Sequence, residues 1–284
     1  MLIYSITEGI KVEPVFLVVI IFYLLSTIGY LVYLFLQKDF LQKTGFYLLA
    51  AGFLCHTVEL GYRFVQLGQF PASNLHETLS LAGWTIAGVF LLFQYRYHLK
   101  ILGIYAAPLI TIMMIIAARL PDVPSETQKI FKSVWLIVHV VAIFIGEASL
   151  ALACGAGLLY LLQENAIKSK HRGFFFKRLP SLELLDNTGY ACIVTGFTMM
   201  TFGLITGLIY AKSIWGRFWS WDPKEVWSGI TWLLYAALLH QRLTIGWRGR
   251  RAAIMAIIGF AVILFTFLGV NFLLKGHHGE FTRM

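Results

Sequence analysis

Eight apolar runs govern what this chain can fold into. They cover roughly residues 14–36, 46–66, 79–95, 101–118, 133–162, 188–210, 226–241 and 252–274, with polar loops between them. About 20 apolar residues cross a bilayer as a helix, so each run is close to one membrane span. A soluble domain could not hide them, since 58% of the residues are hydrophobic, 13% are charged and the mean hydropathy is +0.74. The expectation is an all-α, polytopic integral membrane protein with about eight transmembrane helices. Residues 1–284 form a single transmembrane domain, because the longest loop, about 163–187, leaves no room for a soluble one.

An even number of spans puts both termini on the same side. Thirteen of the 23 lysines and arginines then share one face, including the clusters KSKHR (168–172) and RGRR (248–251). Most of the acidic loop residues, Glu77, Asp222 and Glu225 among them, share the other. Basic loops stay in the cytoplasm, which gives N-out, C-out. The cations lie in short loops rather than along a face or tail, so the net charge of +9 points to topology and not to nucleic acid. A single basic residue, Lys11, precedes the first run and no small-residue cleavage site follows it, as expected of a retained helix. Cys55, Cys154 and Cys192 are scattered in apolar stretches, with no CxxC or CxxCH, and read as small core residues. Gly203 and Gly207 form a GxxxG in the sixth run, a sign of close helix packing.

The stretch "WGRFWSWDPKEVWSGITW", 215–232, holds five of the eight tryptophans. Its Asp222-Pro223-Lys224-Glu225 has the form of a helix start: Asp222 as N-cap, Pro223 in the first turn and Glu225 closing a capping box. An interfacial aromatic belt also favours tryptophan at this depth, but a belt places one or two rings per helix end. Five indoles beside Arg217 and Lys224 suit a large, flat, apolar ligand with acidic groups on its edge, as in a porphyrin with two propionates. Imidazole is a common axial ligand for heme iron, so the eight histidines matter. His98 and His171 lie in basic loops. His139, His277 and His278 fall on the same face as the tryptophans. His240 lies toward the opposite side of the seventh run, where ionisable groups are candidates for function. His56, with Glu59 and Arg63 about one turn apart, is either a candidate or a polar contact between helices.

These residues resemble a known family. "WGRFWSWDPKEVWS" is similar to the WWD signature of heme-handling proteins, and more closely to the CcsA or ResC cytochrome c synthesis proteins of System II. "FPASNLHETLSLAGW", 70–84, resembles that family's external SNLYES segment, and "FLGVNFLLKGHHGEF", 267–281, resembles its C-terminal end. Departures are His76 where SNLYES has tyrosine, and Tyr210 where a tryptophan often precedes Ala211. The resemblance implies a heme exporter and half of a cytochrome c synthase, with an external WWD segment at 211–232. It implies His139 and His278 as axial ligands at the external site, and His240 as a transmembrane ligand opposed by a residue of a CcsB or ResB partner. Trp215, Trp219, Trp221 and Trp227 would form the platform, Arg217 would meet the heme edge, and Asp222 would serve mainly as cap. The substrate would be heme b, kept ferrous and presented edge-on to the two thiols of an apocytochrome CxxCH, with thiol-reducing proteins and membrane lipid as further partners. The location implied is a bacterial cytoplasmic membrane or a thylakoid-type membrane.

Three other readings compete. A bis-histidine electron-transfer cytochrome would need histidine pairs at matching depths, and His240 has only His56 to pair with. A permease would want midplane charges, for which Glu147 is the one isolated candidate. A WWD relative that hands heme to a chaperone would lack the CcsA-like tail and the SNLHE segment.

Overall fold

The structure, a computed structural model, describes residues 14–97, 100–121, 133–169 and 173–269. Every regular element among them is helical: α1 (Pro14–Leu36), α2 (Asp39–Leu67), α3 (Leu75–Tyr97), α4 (Gly103–Ala117), α5 (Val134–Lys168), α6 (Leu182–Trp215), α7 (Pro223–Thr244) and α8 (Arg250–Leu264). A 3-10 turn, Lys100–Leu102, leads into α4, and a π turn, Phe265–Gly269, follows α8. Helices are what lipid allows, since each satisfies its own backbone N–H and C=O groups without water. The chain is thus an all-α integral membrane protein.

Each expected run became a helix, with systematic differences in extent. α5 and α6 outrun their apolar stretches, reaching Lys168 and beginning at Leu182, because polar residues such as Gln163 and Glu164 continue the hydrogen-bond ladder outside the apolar slab. Among the described residues, six segments are long and apolar enough to cross a membrane by themselves: α1, α3, the Lys100–Ala117 segment, α5, α6 and Arg250–Gly269. α2 and α7 are not among them. α2 carries His56, Glu59 and Arg63 along its length, and α7 carries Lys224, Glu225, His240 and Arg242. The last helix was expected to run to about 274, whereas α8 gives way to the π turn at Phe265, and residues from 270 onward lie outside the described ones.

Small residues let the helices meet. α5 and α6, of 35 and 34 residues, form the longest pairing in the bundle. A Cβ on Gly146 would come 3.0 Å from the backbone N of Met200, so the two backbones are almost in contact. Between α1 and α2, Ser26 donates to the Gly45 carbonyl at 2.7 Å. Tyr23, Tyr30, Phe90 and Tyr235 are fully buried between the helices.

The two ends of the bundle differ in chemistry. At the basic end, Arg242 forks onto both carboxylate oxygens of Asp186 at 3.1 and 2.8 Å, and the Gly249 N–H donates to the same carboxylate. Arg250 and Lys168 share Glu164, and Lys100 pairs with Asp39 at 2.8 Å. These cations therefore tie helix ends together as well as marking a face. The opposite end gathers the start of α3, the start of α5, the end of α6, the start of α7 and the π turn after α8. There the bundle opens into a cavity.

Candidate functional site

The α6–α7 connection is shaped by two backbone devices. α6 stops at Gly216, whose φ of 71° is easy for glycine and whose N–H caps the Lys212 carbonyl. α7 starts with a full capping box. The Asp222 carboxylate accepts from the Lys224 N–H at 2.9 Å, and Glu225 reaches back to the Asp222 N–H. Glu225 also accepts from the Ser220 N–H and hydroxyl at 2.8 and 2.9 Å, clamping the loop from both sides of Trp221. Asp-Pro-Lys-Glu is thus a helix start, as its sequence indicates. The SNLHE segment is built the same way at α3: Asn74 accepts from the Glu77 N–H at 2.8 Å, while Glu77 accepts from the Ser73 N–H and hydroxyl.

Under this loop lies a cavity of about 280 Å³. Trp215, Phe218, Trp219, Phe144 and Phe267 line it with aromatic rings, and Ala72 and Thr78, flanking the SNLHE segment, add to the lining. His139, Ile143 and Glu147 line it at i, i+4 and i+8 on α5. Lys224, Glu225 and Ser228 enter from the first turns of α7.

His139 is held by α6. Its Nδ1 donates to the Gly203 carbonyl at 2.7 Å, which fixes the tautomer with the proton on Nδ1. The ring lies so close to Gly207 that a Cβ there would sit 2.7 Å from Cε1 and from Nδ1. The GxxxG of α6 is therefore a cradle for an imidazole: Gly203 supplies the acceptor and Gly207 supplies the room. A histidine that ligates a metal is usually oriented in this way, by a hydrogen bond from its other ring nitrogen to a carbonyl or carboxylate.

The remaining candidates divide. Trp215 and Trp219 line the cavity. Trp221 does not; it is 77% exposed, has a left-handed φ of 59° and meets Trp219 edge-on at 6.0 Å. Trp227 packs on Phe265 at 4.5 Å. Trp232 stacks on Phe197 and donates to Thr201, a contact between α7 and α6. Arg217 is exposed and off the cavity wall, whereas Lys224 is on it. His240 is exposed near the other end of α7, ~18 Å along the helix from Ser228 at 1.5 Å per residue. His278, with His277, His98 and His171, lies outside the described residues, although Thr266 and Phe267, which precede the tail, line the cavity. His56 is a fully buried polar contact, touching Tyr23 Oη at 3.2 Å and Ser80 Oγ at 2.9 Å beside the Glu59–Arg63 pair. Sequence reasoning gave Glu147 no place in the site; its spacing of eight from His139 was the available signal.

The model of the cytochrome c assembly protein family matches residues 72–278. A cytochrome c biogenesis protein CcsA of Guillardia theta is 36% identical over 243 residues, 78% of this chain and 80% of its own length. A CcsA of Synechococcus sp. (strain JA-3-3Ab) is 32% identical over 299 residues, 86% of this chain and 87% of its own. Among solved structures, cytochrome c heme lyase CcmF matches with a TM-score of 0.64 at 18% identity, covering 94% of this chain and 47% of CcmF, so it shares the fold across about half its length. The match begins at Ala72, directly before the SNLHE segment, and includes every cavity-lining helix, and on that ground the chain belongs to the cytochrome c assembly protein family, among the proteins of CcsA type.

Proposed function

We propose that this chain binds heme b in the cavity beneath the tryptophan loop and presents it for covalent attachment to apocytochrome c. The observation that carries the reading is His139, its Nδ1 fixed by the Gly203 carbonyl at 2.7 Å and its ring set in an aromatic-walled cavity. A flat apolar macrocycle needs such walls, and its iron needs an imidazole of defined tautomer. In this reading His139 supplies one axial ligand and His278 the other, from the tail that follows Phe267. Trp215 and Trp219 cover the macrocycle, while Trp221 faces whatever approaches the loop from outside. Asp222 and Glu225 keep the loop in shape.

Each thioether forms when a client thiol adds across a heme vinyl group, the sulfur to one carbon and the hydrogen to the other. The addition is redox-neutral and consumes a thiol rather than a disulfide, so the client cysteines must arrive reduced, kept so by thiol-reducing proteins; in this reading the heme is held ferrous throughout. The chain's part is to hold, orient and shield, and the client's own histidine then replaces one of the two protein ligands. His240, exposed on α7 at the other end, serves an earlier step, with its opposite ligand coming from a CcsB or ResB-type partner that covers this face. Residues 1–284 act as one heme-handling domain, N-out and C-out, with segment 211–232 on the external face of a bacterial cytoplasmic or thylakoid-type membrane. The two proteins together constitute the cytochrome c heme lyase.

The test is to purify the chain with its partner and record the absorption spectrum. Wild type should show low-spin bis-histidine heme, and His139→Ala should lose it and regain it with added imidazole. An unaltered spectrum in His139→Ala would overturn the assignment.

A further inference from the structure

The cavity holds two charged side chains that the capping network does not use. Lys224 enters from the first turn of α7, and Glu147 lies on α5 ~12 Å inward of His139 along the helix. Among the described residues, neither side chain makes a hydrogen bond or an ion pair, although Lys224 feels the charges of Asp222 and, more weakly, Glu147, and Glu147 feels that of Lys224. The second ionisable side chain that α7 brings to the cavity, Glu225, is occupied by Ser220 and Asp222, and His139 is bound to Gly203. Tyr210 completes the ionisable lining, and most of the rest is aromatic or aliphatic.

An ammonium facing a largely apolar space is costly until an anion meets it, and a carboxylate in the same space repels that anion. The positive end of the α7 dipole reinforces Lys224. We propose that Lys224 anchors a carboxylate of the ligand against the start of α7, and that Glu147 keeps the same carboxylate edge away from the inner end of the cavity. This rests on the heme reading of the site and deepens it: the charge arrangement selects one orientation of a tetrapyrrole whose carboxylates share an edge. Arg217, the other cation near the tryptophans in sequence, takes no part.

The experiment uses metal-free protoporphyrin IX and its dimethyl ester, so that iron–histidine bonding does not contribute. Binding to the 284-residue chain in nanodiscs is followed by tryptophan quenching, with empty nanodiscs as blank. Wild type should prefer the diacid over the diester by about tenfold to a hundredfold, the range of a hydrogen bond between charged groups. Lys224→Gln should abolish that preference and Lys224→Arg should keep most of it. Glu147→Gln should tighten the diacid and leave the diester unchanged.

If Lys224→Gln weakens both porphyrins equally and the preference survives, the anchor is wrong while the tetrapyrrole site stands. If wild type binds neither porphyrin, the anchor falls, while the heme reading is decided separately by the His139→Ala spectrum. Should Lys224→Gln not fold, Glu147→Gln decides alone, and an unchanged diacid-to-diester ratio overturns the proposal.

Discussion

Gly207→Ala is the sharpest perturbation of the site, because it adds one methyl group and touches one ring. The new Cβ would stand 2.7 Å from His139 Cε1 and Nδ1, where ordinary contact begins near 3.4 Å. The imidazole must retreat by about 0.7 Å, and the 2.7 Å bond from Nδ1 to the Gly203 carbonyl then stretches beyond the normal hydrogen-bond range. Overpacking costs about 1–3 kcal/mol and the lost hydrogen bond about 1 kcal/mol, part of which the fold absorbs by moving the ring. On the binding side, losing the partner that orients a ligand histidine weakens metal affinity by roughly tenfold to a hundredfold. Heme titration of purified protein, followed at the Soret band, reads this directly. Gly189→Ala on the same helix is the control, since its Cβ would meet only Ala156 at an easy 3.7 Å. Heme affinity equal in the two variants would refute the cradle and, with it, His139 as a ligand held from α6.

Asp222→Ala should lower thermal stability by about 1 kcal/mol through loss of the α7 cap, with Asp222→Asn nearly neutral; a heme spectrum changed equally by both would make Asp222 more than a cap. Reporter fusions after Lys177 and after Arg248 should read cytoplasmic and one at Trp219 external, and a cytoplasmic Trp219 would end the delivery mechanism. His240→Ala should reduce copurifying heme, with imidazole restoring part of it, while heme content equal to wild type would make His240 a surface residue of α7 only. His278→Ala should abolish cytochrome c assembly and His277→Ala should leave it nearly intact; the reverse pattern would move the ligand by one position.

Much of the architecture was legible from hydropathy, and the start of α7 was legible to the residue. The reason is local: Asp-Pro-Lys-Glu carries its cap, its first-turn proline and its box within four positions. What the sequence hid was direction. Five tryptophans share one stretch, yet Trp215 and Trp219 line the cavity, Trp221 faces out, and Trp227 and Trp232 pack on Phe265 and on Phe197 with Thr201. In a loop no period fixes where a side chain points, so adjacency in sequence groups more indoles than the cavity lining receives. Of the two cations beside the indoles in sequence, Lys224 lines the cavity and Arg217 is exposed away from it. The GxxxG of α6 was read as a helix contact, and only the packed bundle shows that the partner of Gly207 is an imidazole. Helix ends were blurred where polar residues carry α5 and α6 past the apolar slab.

The left-handed backbone of Trp221 acts as a stop on helix growth. Gly216, with φ 71°, ends α6, and Trp221, with φ 59°, stands directly before the cap of α7, so neither helix can lengthen into the connection between them. The span from 216 to 222 therefore keeps a fixed count of residues whatever enters or leaves the cavity. Had ordinary helical residues stood at these two places, α6 and α7 could have wound toward each other and carried the indoles around with them. The roof over His139 is thus measured out by two positive dihedrals, one on a residue that adopts them freely and one on the bulkiest residue there is.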